Sequence, residues 1–185
     1  MVVRFFMLSL AALVGDQVSK VWAVGRLTGV AEDGMPRLGV AAQLQRFWQV
    51  KHPSGRFTIA VVDDFWHFRY LENPGAAWGF LSTAPAWFRG PFFVSVSLLA
   101  MLLIVLYYRS LRSEQILLRS ALALVFGGAV GNFIDRIRLG YVVDFIDWHW
   151  YSGPHWPTFN IADSCICVGV MLMVLDMVVN KESYQ

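Results

Sequence analysis

The sequence contains few charged residues for its length. Only 15% of the 185 residues are charged, whereas roughly 25% is usual in soluble proteins. Hydrophobic residues make up 57%, and the mean hydropathy is +0.51, which is typical of a membrane protein. The formal net charge is only +2, and no cluster of lysine and arginine is present, so nothing indicates binding to nucleic acid.

Cysteine is also scarce, with only two in the chain. Cys165 and Cys167 are separated by one residue in an apolar run, and a disulfide over that separation is geometrically poor. We interpret both as small packing residues. Internal repeats and low-complexity tracts are absent as well, which argues against repeat architectures and disordered tails.

Four apolar segments approach the roughly 20 residues that a helix needs to cross a bilayer. They lie at about residues 3–24, 91–108, 120–137 and 161–180. The first segment is similar to a secretory signal peptide, but Asp16 and Lys20 interrupt it and no convincing cleavage site follows, so we interpret it as a true span. We therefore expect residues 1–185 to form a single integral membrane domain.

Basic residues predict the orientation of these spans. They lie before the first span, between the second and third, and after the fourth, at Arg4, Arg109, Arg112, Arg119 and Lys181. Because short basic loops stay in the cytoplasm, we expect both termini and the middle loop there. The segment of about 25–90 is also basic, but its length reduces its weight in this rule. We place it, with the loop of about 138–160, on the outer face.

The outer segment has a pattern of its own. From Phe57 to Phe80 it is rich in β-branched and aromatic residues and contains the turn sequence ENPG, which predicts short strands. All tryptophans except Trp22 fall in the outer segments or at their edges, and such rings favour the headgroup level of a membrane. The strands should therefore lie at the membrane surface.

Polar residues gather at the outer ends of the spans and in the outer segments. They are Asp16, Lys20, Glu72, Asn73, Asn132, Asp135, Arg136, Asp144, Asn160 and Asp163. Ionisable groups inside a membrane cost several kcal/mol unless they are paired, so their concentration at one depth indicates function.

Some of these residues also fit structural roles. Asp16 and Lys20 are spaced i, i+4 and can form an ion pair on one helix face, which we take as their main role. Asn132 and Arg136 share that spacing and can tie the third span to the outer loop. Gly127 and Gly131, four residues apart in the same span, indicate close helix packing.

Asp144 and Asp163 remain as candidates for catalysis. Asp144 follows the apolar, strand-like run YVV, and Asp163 opens a membrane helix, where Asn160 and Asp163 together also fit a helix cap. Two carboxylates in a water-poor site share a proton. Such a pair can activate water with one member and protonate a carbonyl with the other. No serine has a base placed to activate it.

A metal site is not predicted from the sequence. Asp147 and His149 are possible ligands, but a third is hard to find, because His155 lies beyond a Gly-Pro turn. Structural zinc sites usually need four protein ligands, and catalytic ones three.

Several blocks, in order and at specific spacing, resemble the bacterial lipoprotein signal peptidases, or signal peptidase II. They are GDQVSK at 15–20, ENPGAAWGF at 72–80, GGAVGNFIDRIRLGYVVDFIDWHW at 127–150 and FNIADSCICVG at 159–169. The resemblance implies a mainly α membrane protein with four transmembrane helices and a small extracytoplasmic β-sheet cradle. It also implies an aspartic endopeptidase of the bacterial inner membrane, with its active site toward the extracytoplasmic face.

The same resemblance implies a substrate and a set of site residues. The family removes the signal peptide from prolipoproteins carrying a diacylglyceryl group, cutting just before the lipidated cysteine. Asp144 and Asp163 match its catalytic pair. Supporting polar residues match at Asp16, Lys20, Asn73, Asn132, Arg136 and Asn160. No metal or organic cofactor is implied, the expected partners are lipid-modified prolipoproteins and membrane lipids, and we expect a monomer.

One region departs from the family pattern, and two other functional classes stay open. The stretch of about 28–57 is longer than expected, with EDGMPRLG and KHPSGR resembling loop insertions. A proton- or ion-coupled transporter would use Asp16, Asp135 and Asp163 as a relay, but its carboxylates should lie near the midplane, often in repeated halves. A membrane-anchored module that binds lipid or peptide would keep the carboxylates structural.

Overall fold

The computed structural model describes residues 2–28 and 39–180. Lys181 and most of the predicted insertion EDGMPRLG lie outside these residues, so the orientation signal from Lys181 and the loop at 32–38 remain predictions. The elements in chain order are α1 (Val2–Leu27), α2 (Val40–Gln49), β1 (Thr58–Val62), β2 (Trp66–Asn73), a 3-10 turn (Ala77–Gly79), α3 (Ala86–Ser110), α4 (Ile116–Leu139), β3 (Val142–Trp148) and α5 (Ile161–Val179).

Within the described ranges, four helices are long and apolar enough to cross a membrane, namely α1, α3, α4 and α5. A small antiparallel sheet accompanies them, in the order β1-β2-β3. The predicted fold class of a mainly α membrane protein with a small sheet is therefore confirmed. Helix α3 begins at Ala86, ahead of the predicted start at Pro91. A proline near a helix start leaves few backbone bonds broken, and membrane helices tolerate it.

Helix α4 lies against the other three spanning helices, and small residues permit this central position. A Cβ atom added at Gly127 would lie 2.5 Å from the Ser9 carbonyl oxygen of α1, and one at Gly128 would lie 2.5 Å from the Ala162 carbonyl oxygen of α5. A Cβ atom at Gly131 would meet the Asp16 carboxylate. The predicted packing role of Gly127 and Gly131 is confirmed, because only glycine allows these backbones to approach so closely.

Strand β3 follows α4 almost directly. Gly140 adopts a left-handed conformation, with φ of 83°, and ends α4, as glycine does at many helix ends. The chain then pairs antiparallel with β2, placing Asp144 opposite Leu71. The strand-like character predicted for the run at Asp144 is confirmed, because Asp144 lies within β3, whose hydrogen bonds to β2 fix its backbone.

Helix α2 was not predicted from the sequence. Its short run VAAQLQRFWQ offers only a few apolar residues, yet Phe47 is buried against Val24, Tyr141 and Val143. The guanidinium of Arg138 stacks on the Phe47 ring, 3.7 Å from its centroid. Helix α2 thus packs on the C-terminal end of α1 and beside the sheet, whereas the segment KHPSGR that follows it is a loop, as predicted.

Candidate active site

The structure brings Asp144 of β3 and Asp163 of α5 into one polar site, where two asparagine side chains link them. Asn160 Nδ2 donates to Asp144 Oδ1 at 2.7 Å and to Asn132 Oδ1 at 3.1 Å. Asn132 Nδ2 in turn donates to Asp163 Oδ1 at 2.8 Å. Each amide can accept one bond while donating another, so the chain of hydrogen bonds fixes both carboxylates relative to each other.

Asp144 lies in an environment that favours its protonated form. Its side chain is fully buried. Burial, together with the negative charge of Asp163, raises the pKa of Asp144 to about 8, because both effects disfavour a second carboxylate charge. Asn73 Nδ2 and Asn160 Nδ2 donate to its two oxygens and oppose this rise only in part. Asp144 therefore keeps its proton near neutral pH.

Asp163 also takes part in the predicted helix cap, which the structure confirms. The Asn160 side chain accepts a hydrogen bond from the Asp163 amide at 2.9 Å, and Asp163 Oδ2 accepts one from the Asn160 amide at 3.3 Å. Capping occupies only one carboxylate oxygen, because Oδ1 faces Asn132. The cap fixes the side chain of Asp163 without excluding a chemical role.

A fully buried cluster of charged side chains lies next to these carboxylates. Lys20 Nζ is 2.9 Å from Asp16 Oδ2, which confirms the predicted i, i+4 pair, and it is also 2.9 Å from Asp135 Oδ2. It donates a further bond to Asn132 Oδ1 at 3.1 Å. All three charged side chains are fully excluded from solvent. Asp135 was not among the predicted supporting residues. It belongs to α4 and Lys20 to α1, so no spacing within one helix predicts their contact.

Asp16 and Asp135 also accept hydrogen bonds from backbone amides next to Asp144 and Asp163, which we call the candidate dyad. Asp16 Oδ1 accepts a hydrogen bond from the Ala162 amide at 3.0 Å, one of the unpaired amides at the start of α5. Asp135 Oδ2 accepts one from the Val143 amide at 3.1 Å. Ala162 immediately precedes Asp163, and Val143 immediately precedes Asp144. The buried cluster thus fixes the backbone directly before each carboxylate of the candidate dyad.

Arg136 contacts a different segment from the one expected. Its guanidinium donates to the Gly75 carbonyl oxygen at 3.2 Å and lies 4.9 Å from the centroid of the Phe93 ring. It therefore ties α4 to the turn after β2, next to Asn73, and not to the segment around Asp144. Positive charge at this position is attracted to both Asp163 and Asp144.

A cavity of about 550 Å³ opens beside the dyad. Its polar end is formed by Asn73, Asn132, Arg136 and Asp163, and the rest is mainly apolar. The apolar wall includes Trp78, Trp148, Trp156, Ile166 and Met171. An apolar cleft with a few convergent polar groups at one end suits a ligand with a long apolar part and a polar reacting centre.

Comparison with known proteins identifies the family. A family model described as signal peptidase (SPase) II matches residues 8–179. A lipoprotein signal peptidase from Anaeromyxobacter sp. (strain Fw109-5) is 50% identical over 165 residues, covering 86% of this chain and 77% of that protein. One from Clostridium tetani (strain Massachusetts / E88) is 32% identical over 173 residues, covering 94% of this chain and 90% of that protein.

The fold has relatives among solved structures as well. One described as a bacterial membrane enzyme structure, solved by the in meso method at 2.3 Å resolution, has a TM-score of 0.70 and 26% identity, covering 98% of this chain and 91% of that one. A second bacterial membrane enzyme has a TM-score of 0.64 and 27% identity, covering 94% and 91%. The chain is therefore a multi-pass membrane peptidase that belongs to the signal peptidase II family, as the resemblance in its sequence predicted.

Proposed function

We propose that this chain is an aspartic endopeptidase that removes the signal peptide from diacylglyceryl-modified prolipoproteins, cutting just before the lipidated cysteine. Its family membership supports signal peptide cleavage from lipoprotein precursors. The observation that carries the aspartic mechanism is the hydrogen-bonded link between Asp144 and Asp163 at the edge of an apolar cavity.

The proposed mechanism starts from the proton that Asp144 holds. Asp163 acts as the general base and takes a proton from a water molecule while that water's oxygen attacks the scissile carbonyl carbon. Asp144 donates its proton to the carbonyl oxygen, giving a neutral tetrahedral diol. When the C–N bond breaks, Asp163 returns its proton to the leaving nitrogen and Asp144 accepts a proton from the diol. Products form and the dyad regains its starting state, as general acid–base catalysis requires.

The cavity supports the lipidated substrate class. Its apolar wall suits both acyl chains and an apolar signal peptide, because each loses contact with water on binding. Arg136 and Asn73 lie at its polar end, where they can bind the polar backbone around the scissile bond. Asp144 and Asp163 are then close to the junction between lipid and peptide.

The transporter alternative gains less support. Asp16 and Asp135, two of its three relay residues, are both bound to Lys20 in a fully buried cluster. Carboxylates that are held in place by ion pairs to one buried lysine are poor carriers of a moving proton, because breaking a buried pair is costly. The peptidase mechanism, in contrast, uses the two carboxylates outside this cluster.

A cleavage assay tests the proposed function directly. Purified protein in detergent should release the signal peptide from a diacylglyceryl-modified prolipoprotein and should leave the unmodified precursor largely intact. Mass spectrometry of the product should give a lipidated cysteine as its first residue. Equal cleavage of both precursors would contradict the proposed substrate class, and a product beginning elsewhere would contradict the proposed cut site.

We propose further that the protein lies in the bacterial inner membrane with both termini in the cytoplasm and the dyad toward the extracytoplasmic face. The loop between α3 and α4 carries Arg112, and Arg119 in the first turn of α4 donates to the Leu111 and Arg112 carbonyl oxygens. Short basic loops of this kind are retained in the cytoplasm. The sheet, helix α2 and the dyad lie at the opposite ends of the spans.

Cysteine labelling should reveal this orientation. In a background with Cys165 and Cys167 changed to alanine, an impermeant thiol reagent should label Ser54→Cys in intact cells, because that loop lies outside. Ser113→Cys should be labelled only after the membrane is permeabilised. Labelling of Ser113→Cys in intact cells would reverse the orientation.

Cleavage should depend on pH through Asp144. Its pKa of about 8 lies far above the ordinary range of an aspartate, so the rate should fall up to tenfold per pH unit above about pH 8, where Asp144 loses the proton that it must donate. The proton that Asp144 binds more tightly in the folded state also contributes stability that is lost between about pH 4 and pH 8. Initial rates across this range test the first expectation, and thermal midpoints test the second. A rate that stays constant to about pH 9.5 would show that Asp144 is not the acid.

A further inference from the structure

A second cluster of ionisable side chains lies farther along β3. His67 of β2 is directly opposite Asp147 of β3 in the antiparallel pairing, and His149 follows the end of that strand. One ligand atom from each residue can be chosen so that all three lie within 4.8 Å of one another. The sequence interpretation found Asp147 and His149 but no third ligand, because His67 is supplied by a different strand.

The cluster is buried and its backbone is fixed. Asp147 is 2% exposed and His149 is 8% exposed. The His149 amide donates to the Phe65 carbonyl oxygen at 2.9 Å, and the centroids of the His67 and His149 rings are 4.4 Å apart. Histidine rings held this close to a carboxylate on rigid strands are already arranged as ligands, so little order must be gained on binding.

One buried nitrogen in this cluster lacks a partner. Nδ1 of His149 has no hydrogen bond to any residue that the structure describes. It lies 3.6 Å from Asp147 Oδ2, too far for a hydrogen bond. Leaving a buried polar atom unpaired costs about 1–3 kcal/mol. Two ligands that are each 2.0–2.1 Å from a tetrahedral zinc ion are about 3.4 Å apart, which is close to the separation found here.

Neighbouring groups orient the Asp147 carboxylate toward this nitrogen. Oδ1 accepts a hydrogen bond from Arg69 at 3.0 Å and lies 3.2 Å from His155 Nδ1. Arg69 also donates to Thr158 Oγ1 at 3.2 Å. Because Oδ1 is used in this way, Oδ2 is the oxygen that faces His149. Outer partners of this type commonly hold a carboxylate ligand in position at metal sites.

We propose that His67, Asp147 and His149 form a binding site for a divalent transition metal with the ligand preference of Zn²⁺. Two imidazole nitrogens and one carboxylate oxygen suit such an ion, with a water molecule completing the shell. The metal joins β2, β3 and the turn after β3. Trp148, which lies between Asp147 and His149 in the chain, lines the cavity beside the dyad together with Trp156. The ion therefore stabilises one wall of the cavity.

This metal takes no part in hydrolysis. Asp147 is three residues beyond Asp144, about 10 Å along the strand, and the cavity lining includes Asp163 but none of the three ligands. The role is structural, and its loss should lower thermal stability more than turnover. The inference does not depend on the proposed substrate, because the ligands are defined without it.

Zinc binding by the full chain tests the proposal. Purified protein in detergent, treated with a chelator and then desalted, should bind about one equivalent of ZnCl₂ in titration calorimetry and gain thermal stability. His67→Gln and His149→Gln should each weaken binding at least about tenfold, because each variant loses one of three protein ligands. His52→Gln is the matched control, since His52 is exposed and pairs with Glu72 outside the cluster. That variant and Asp144→Asn should bind zinc as the wild type does.

Two further results make the test decisive. Cobalt(II) should give the intense visible absorption of tetrahedral coordination with the wild type and not with His67→Gln. If His149→Gln fails to fold, the half-buried His67→Gln variant decides the matter alone. Equal zinc binding by the wild type and the His67→Gln variant, or no binding by the wild type, would overturn the proposal.

Discussion

Folded Asp144→Asn and Asp163→Asn proteins are each expected to cleave a lipidated prolipoprotein at least about 10³-fold more slowly than the wild type. In the proposed mechanism each carboxyl group performs one half of the proton transfer, so loss of either should disable both steps. The variant with both substitutions should be little worse than either single one, because the residues act as a unit. Asparagine preserves the size of the side chain and most of its hydrogen bonding, so the proteins should fold.

The same experiment distinguishes a catalytic role of Asp163 from a capping role alone. In the capping box Asp163 accepts a hydrogen bond from the Asn160 amide, which an asparagine oxygen can also accept, and the lost charge at the start of α5 costs only about 0.3–1 kcal/mol. If Asp163 were only a cap, Asp163→Asn would be nearly as active as the wild type. Asp63→Asn, which changes an exposed acid between β1 and β2, is the matched control and should keep full activity.

A chelator separates dyad chemistry from the proposed zinc site. Wild-type turnover should stay within about twofold when metal is removed at a temperature where the protein remains folded, because the proposed mechanism uses no metal. The His67→Gln variant should respond even less, since it has already lost its metal affinity. If the chelator abolished turnover in both proteins, a metal would belong to the chemistry and the aspartic mechanism would be wrong.

Replacement of Lys20 by methionine should cause the largest loss of stability. Lys20 is the only cation within hydrogen-bond distance of both Asp16 and Asp135 among the described residues. Its removal leaves two buried carboxylates beside each other, which is expected to cost about 3–5 kcal/mol. The thermal midpoint should fall by roughly 10 °C, with a lower yield of folded protein.

Replacement of an acid partner of Lys20 should destabilise the protein less than replacement of Lys20 itself. Asp16→Asn leaves Lys20 paired with Asp135, so its thermal midpoint should fall less than that of Lys20→Met. Lys51→Met, at an exposed position in the loop after α2, serves as control and should leave stability unchanged. Thermal midpoints in detergent measure all three variants. A stable, folded Asp16→Asn protein without any turnover would instead make Asp16 part of the chemistry.

The sequence predicted contacts where spacing on one helix determines them. Asp16 and Lys20 lie on one helix face, and Asn160 caps a helix through the residue three places ahead, so both interactions can be read from local pattern alone. The share of Asp135 in the Lys20 cluster depends on how α1 and α4 pack. No local pattern records that, although Asp135 already stood out as a charge in an apolar span.

The strands and α2 show a similar limit. Alternating β-branched and aromatic residues predicted strands between Phe57 and Phe80, yet the position of Asp144 in β3 follows from pairing with β2. His67 and Asp147 become neighbours only through that pairing, so the sequence did not predict His67 as the third ligand of the proposed metal site. The amphipathic run of α2 is short, and its helix is stabilised by packing of Phe47 against the sheet. These elements depend on tertiary contacts, which sequence periodicity does not report.

The hydrogen bond from Ala162 to Asp16 joins groups that are 146 residues apart, which has a consequence for biosynthesis. At about 5–20 residues per second, roughly 7–30 s separate the translation of the two partners. The local pairing of Asp16 with Lys20 neutralises both charges while the first span enters the lipid alone. Asp135 joins when α4 arrives, and the start of α5 closes the arrangement last. A nascent chain therefore lacks the complete candidate site until its final span is in place, so we expect proteolytic activity only from the finished chain.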